Sequence, residues 1–137
     1  MNAQTKPDIL LIVLDTLRAD RLSCYGYPRE TSPHLDAFAE SGVLFERAIS
    51  PAQWTIPSHA SFFTGEYPTT HMMTQIYDKS SQDQVFLADI LRREGYATIG
   101  FCNNPLLGVV ENGLDQGFGV GYRIADIFVR ETEMFGQ

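Results

Sequence analysis

The residues that could do chemistry stand in two short stretches. Segment 54–65 reads Trp-Thr-Ile-Pro-Ser-His-Ala-Ser-Phe-Phe-Thr-Gly, with Thr55 just ahead of Pro57. Proline suits the first turn of a helix, so this pattern sets a hydroxyl at a helix start. Backbone N–H groups and the helix dipole at such a start favour an anion. A threonine hydroxyl is a weak nucleophile at neutral pH, but a metal ion beside it lowers its pKa towards the alkoxide. Asp15 closes the apolar run 9–14 and so falls at a strand end, where α/β sheets bind ligands. Oxygen ligands of this kind suit Mg, Ca or Mn, and zinc also accepts them. Local residues leave a second role open for each: Thr55 as a helix cap, Asp15 as the cap of the next turn.

Those residues need elements to hold them. Residues 8–15 are apolar between two aspartates, which predicts a strand buried on both faces, as in parallel sheets. Ser32 and Pro33 suit the N-cap and first position of a helix whose apolar face is Leu35, Phe38 and Ala39, stopped by Gly42. Residues 43–49 read as a second strand. Pro57 opens a helix through Phe63 that ends near Gly65, and a polar, irregular stretch runs over 67–81. A further helix is predicted over 83–94, a third strand over 96–101, loop over 106–123 and a terminal helix over 124–135. Leu35, Phe38, Phe62, Phe63, Leu87 and Leu91 are core by spacing, and Trp54 is expected to pack beside Thr55. Alternating strands and helices indicate an α/β sheet with parallel pairing.

Composition narrows the function. The 137 residues carry 10 Lys and Arg against 17 Asp and Glu, a net charge of −7. Such a chain repels phosphate backbones, so nucleic-acid binding is not expected. With 44% hydrophobic and 20% charged residues, it has the composition of a folded domain. No run reaches the roughly 18 to 20 apolar residues of a membrane span, and residues 1–14 do not fit a signal peptide. A cytoplasmic protein is therefore expected. Cys24 and Cys102 lack a CxxC spacing, so reduced thiols are the default. No GxSxG, GxxxxGK[ST] or HExxH pattern is present.

Segment 54–65 resembles the signature of the sulfatases, in the alkaline phosphatase superfamily: Cys or Ser, any residue, Pro, Ser or Ala, then Arg, with a later Thr-Gly. Thr55 takes the nucleophile position, Pro57, Ser58, Thr64 and Gly65 match, and His59 takes the Arg position. Segment 7–20, Pro-Asp-Ile-Leu-Leu-Ile-Val-Leu-Asp-Thr-Leu-Arg-Ala-Asp, resembles the family's first strand and its metal-binding aspartate. Segments 24–27, 31–36, 42–45, 95–98 and 114–118 fit in the same order. The chain also departs from the family. Thr16 follows Asp15 where sulfatases usually have a second aspartate. Thr55 cannot become the formylglycine aldehyde that sulfatases make from Cys or Ser, and a threonine there resembles the phosphodiesterase and phosphotransferase branches. The family's Gly-Lys-Trp-His ends here as Asn103, Asn104 and Pro105. That removes a charged clamp and leaves Asn103 as a neutral hydrogen-bond donor.

The resemblance implies a three-layer α/β core like that of alkaline phosphatase, mostly parallel and incomplete, with residues 1–137 as the N-terminal part of a sulfatase-type catalytic domain. It implies metal-dependent hydrolysis of small sulfate or phosphate esters. Thr55 and His59 are its catalytic candidates, Asn103 contacts substrate, and Asp15 with Thr55 holds a divalent ion left open among Ca, Mg, Mn and Zn. Formylglycine is not expected. Further metal ligands, an Asp followed by His or Asn, belong to a missing C-terminal half, and an oligomer is a further possibility through unpaired strand edges. The alternative is a truncated, inactive fragment or a non-enzymatic piece that binds a partner.

Overall fold

The computed structural model describes residues 6–108 and 110–123. It has two compact units, Met1–Ala48 and Ile49–Gln137.

The first unit is organised around one carboxylate. Helix α1, Pro33–Ser41, follows two 3-10 turns, Ala19–Arg21 and Ser23–Tyr25. Asp36 on α1 accepts the Ser23 hydroxyl (2.5 Å), the Ser32 hydroxyl (2.8 Å) and the Cys24 N–H (2.9 Å). These bonds, Ser23 foremost, hold its carboxyl below the usual carboxylate range. Ser32 stands at the predicted N-cap, but its side chain makes no cap bond there and turns to Asp36 instead. Arg18 and Asp20 form an exposed ion pair at 2.6 Å.

The predicted strands over 8–15 and 43–49 do not form as ladders. Leu10 is 83% exposed and Ile49 89%. A ladder takes two strands, and an apolar run specifies only one of them. Leu35 and Phe38 of α1 are exposed rather than core.

The second unit is built on helix α2, Thr55–Thr64, whose residues from Ile56 to Ser61 are all buried. The helix begins two residues earlier than Pro57, with Trp54 at the N-cap. It ends on Gly65 at φ 73°, whose N–H meets the Ser61 carbonyl at 2.9 Å. The core is Ile56, Ala60, Met73, Phe86 and Leu114, with Trp54, Phe63, Leu106 and Leu107 packed against it. Phe62 and Leu87, expected in the core, are exposed.

Helix α3, Pro68–His71, lies in the stretch expected to be irregular and packs on α2. Helix α4 is Leu87–Arg93, shorter than predicted. Residues 81–84 are tied into a turn instead, with the Gln84 side chain accepting the Ser81 N–H at 2.9 Å. Phe86 is drawn extended into the core at the N-cap.

Strand β1, Ile99–Cys102, pairs in parallel with β2, Val120–Arg123, from Ile99 opposite Val120 to Cys102 opposite Arg123. The connection carries helix α5, Pro105–Gly108. Helix and strand here replace the predicted loop, and the parallel pair with its helical crossover is an α/β arrangement. The predicted helix 124–135 lies outside the described residues. Asn112, almost fully buried, braces the crossover: its Nδ2 donates to the Leu106 carbonyl (2.7 Å) and its Oδ1 accepts the Leu114 N–H (3.0 Å).

Gly117 is required where the crossover passes α4. It has φ +84°, and a Cβ there would lie 2.5 Å from the Asp89 nitrogen. Gly117→Ala therefore meets both a left-handed backbone and a backbone overlap, and should cost about 2–4 kcal/mol. Urea unfolding checks this; an unchanged midpoint would show that the passage yields freely.

His71 joins α3 to α2 with one defined proton. Its Nδ1 accepts the Met73 N–H at 3.0 Å, so Nε2 carries the hydrogen and donates to the Ser61 hydroxyl at 3.0 Å. Burial lowers the imidazole pKa from 6.5, with the Glu66 charge pulling the other way. The unfolded chain thus binds a proton that the folded one refuses, so stability falls as pH drops below 6.5. The urea midpoint should decrease between about pH 7.5 and about pH 5.5. His71→Asn should be less stable throughout but flatter over that window; an equally steep profile would contradict the assignment.

Candidate active site

The site begins where α2 begins. Thr55 is the first residue of the helix and is half-buried. Because α2 is buried over the next six residues, its start is fixed by packing rather than left to fray. Pro57 has no N–H, and the Ser58 N–H closes the first turn on the Trp54 carbonyl at 3.3 Å. The positive end of the helix dipole lies at Thr55 and favours negative charge on its oxygen. Trp54 is partly buried against the core beside it, as expected.

His59 is 4% exposed. Its Nδ1 lies 2.8 Å from the Thr55 carbonyl. A carbonyl only accepts, so Nδ1 carries the proton, which leaves Nε2 as the acceptor of the neutral ring. The ring packs edge-on to Phe62 and Phe63, with centroids 5.6 and 6.0 Å away. His59 is thus tied to the Thr55 backbone one helical turn up.

The other wall comes from the carboxyl end of β1. Asn103 is exposed there. The next residue, Asn104, reaches Thr55: its Nδ2 lies 3.5 Å from Thr55 Oγ1. The reading of the sequence missed Asn104, because the family pattern sets a tryptophan at that position. The adjacent Pro105 was the one available signal, since a proline after asparagine marks a turn that redirects the side chains. Several ties fix Asn104. Its Oδ1 accepts the Leu106 N–H at 3.0 Å. The Cys102 thiol accepts its N–H and donates to its carbonyl, each at 3.3 Å.

Asp15 lies in the first unit, exposed, in a turn with Thr16. Thr16 has φ 67°, an uncommon conformation for a β-branched residue that costs of order 1–3 kcal/mol. Strain of this kind clusters at functional sites. Within the second unit the structure brings Thr55, His59 and Asn104 together.

Asp15 and Thr55 offer oxygen donors of the type hard divalent ions take. Among the described residues, no three His, Cys, Asp or Glu side chains gather as a metal shell needs. Each of the two residues, taken by itself, fits a metal in kind. A cleft of about 300 Å³ lies elsewhere, lined by Lys79, Ser80, Leu107 and Glu111 among others, and holds none of the candidates. Among the described residues no helix is long and apolar enough to cross a membrane.

Comparison with known proteins places this geometry. Residues 7–122 match the sulfatase family. An N-acetylgalactosamine-6-O-sulfatase of Bacteroides thetaiotaomicron is 37% identical over 98 residues, which cover 68% of this chain and 19% of that protein. Arylsulfatase A of Homo sapiens is 34% identical over 122 residues, covering 82% of this chain and 24% of that one. The crystal structure of a phosphonate monoester hydrolase of Agrobacterium radiobacter superposes with a TM-score of 0.76 at 25% identity, over 95% of this chain and 29% of that chain. The chain thus spans about a fifth of the length of the curated relatives it matches, with 18% to 24% of each covered. The fold is that of the alkaline phosphatase-like hydrolases, and the chain belongs to the sulfatase family.

Proposed function

We propose that this chain is the N-terminal part of a sulfatase-type catalytic domain that hydrolyses sulfate esters or related phosphate esters, with Thr55 as nucleophile. The observation that carries the reading is the meeting of Thr55 Oγ1, at the start of a buried helix, with Asn104, just past the carboxyl end of a parallel strand. That is where α/β folds bind ligands, and it offers a dipole and a donor to an incoming anion. In this reading Thr55 Oγ attacks sulfur or phosphorus in line with the leaving ester oxygen. The resulting Thr55 ester is then cleaved by water. His59 steadies the first turn through the Thr55 carbonyl and offers Nε2 towards the substrate. Asn103 is kept as a further substrate contact at the strand end.

Asp15 is the metal ligand of this chain, supported by the strained turn at Thr16. Thr55 is the other ligand that the sequence motif proposes, and a divalent ion, when bound, would supply positive charge beside its hydroxyl. Remaining ligands would come from polypeptide beyond this chain. Formylglycine is not part of the proposal: the β-carbon of Thr55 bears a methyl group, so its oxidation would give a ketone. A cytoplasmic site of action, and small-molecule esters rather than nucleic acid as substrates, complete the proposal.

A second reading has a specific observation in its favour. The apolar run 9–14 and the apolar residues Val43, Leu44, Phe45 and Ile49 stay exposed, and no described cluster completes a metal site. A non-enzymatic piece that binds a partner accounts for both.

Assays of the chain, and of any longer polypeptide that contains it, separate the two. Aryl sulfate, phosphate monoester and phosphodiester would be tested with Ca, Mg, Mn and Zn. The expected result is saturable, metal-dependent turnover that Thr55→Ala reduces by at least about 10³-fold. Thr55→Ala at normal rates would sink the nucleophile, and no turnover in either form would favour the partner-binding reading.

A further inference from the structure

We infer that Asn104 is a positioning residue for the Thr55 hydroxyl, set one residue beyond the position that family correspondence singles out. The inference rests on Thr55 as nucleophile and deepens that reading.

The direction of the Asn104 side chain follows from its bonds. Its carboxamide has one acceptor end and one donor end. The acceptor is taken by the Leu106 N–H at 3.0 Å. The donor end therefore faces Thr55, and Nδ2 lies 3.5 Å from Oγ1. The backbone cannot easily turn to reverse this. The Cys102 thiol grips the N–H and the carbonyl of Asn104 together, and the same carbonyl also accepts the Leu107 N–H at 3.0 Å. Cys102 is the last residue of β1, so the strand itself aims the amide.

Such a donor has a defined effect. A hydrogen bond given to an oxygen favours its anionic form, so it lowers the cost of an alkoxide. It also leaves one fewer direction open to the hydroxyl, which keeps a lone pair aimed at the substrate. At 3.5 Å the contact is long for an N–H···O bond, as bonds in resting active sites often are before substrate tightens them. No bond to Asn104 forms or breaks. Its amide carries no charge, so it adds direction without drawing in a counter-anion.

Two substitutions separate position from packing. Asn104→Asp keeps an oxygen for the Leu106 N–H and loses the donor; Asn104→Ala loses both. In the active protein, Asn104→Asp should lower kcat by about 100-fold with KM changed by less than about threefold. Its rate should recover as pH falls and the new carboxyl regains a proton to donate, whereas Asn104→Ala should stay low at every pH. An Asn104→Asp enzyme with the pH profile of the parent would overturn the inference.

A second arm does not depend on turnover. In the 137-residue chain, the ¹⁵N side-chain amide signal of Asn104 should shift in Thr55→Val, which removes the hydroxyl and keeps the shape. An unmoved signal would overturn the contact and leave Thr55 as nucleophile untouched. A shifted signal with normal turnover in Thr55→Ala would overturn the nucleophile and, with it, the role given to Asn104.

Discussion

A helix buried over six consecutive residues has no solvent side, and α2 is such a helix from Ile56 to Ser61. Every polar side chain on it must find its partner inside the protein, because a buried group left unpaired costs about 1–3 kcal/mol. Ser58 donates to the Ala52 carbonyl at 3.0 Å, His59 to the Thr55 carbonyl, and Ser61 accepts from His71. Among the described residues no buried side-chain nitrogen or oxygen is left without a partner. The bonds to Ala52 and from His71 reach outside α2 and define where it sits along its own axis as well as around it. Thr55 inherits that definition, since it is the first residue of a helix that has little freedom to slide.

The strand side is held to α2 by aromatic contact. Gly100 of β1 leaves room for the Phe118 ring, which lies 3.3 Å from where a Cβ would be. Phe118 in turn meets Phe63 of α2 edge-on, with centroids 6.1 Å apart. This stack spaces the strand from the helix, and that spacing brings the end of β1 within reach of Thr55. Thr98 locks the returning chain by donating its hydroxyl to the Gly117 carbonyl at 2.7 Å. The contact between Asn104 and Thr55 is thus a consequence of packing several residues away.

The start of α1 at Pro33, the stop of α2 at Gly65 and most of β1 were legible because each has a local cause: a fixed proline φ, a left-handed glycine, a short run mixing aromatic and β-branched residues over 96–101. Thr55 was singled out by the ordered motif, and the structure sets it at the start of α2. The strands expected over 8–15 and 43–49 were not settled by their residues, since a ladder depends on a partner at a distance. Strand β2, Val120–Arg123, was hidden for the same reason: its register is set by β1 and its sequence is rich in glycine. The core was misjudged where helical spacing was read alone. Phe38 and Leu87 have the right period, but the side that is covered depends on which neighbour the fold supplies. Asn103 and Asn104 differ by one residue, and successive residues in an extended chain point to opposite sides. Only the turn into Pro105 decides which amide faces the helix.

The replacement of an arginine and a lysine by a histidine and an asparagine bears on the charge of the proposed site. Where the sulfatase pattern has an arginine and a lysine, this chain has His59 and Asn103, and the residue that meets Thr55 is Asn104. A dianionic group, such as a phosphate monoester, needs more fixed positive charge to offset its desolvation than a monoanionic one. Neutral donors stabilise oxygen charge through direction rather than through net field. On the proposed reading, Thr55, an amide and a helix dipole supply direction, and net positive charge beside the transferring group would come from a bound divalent ion.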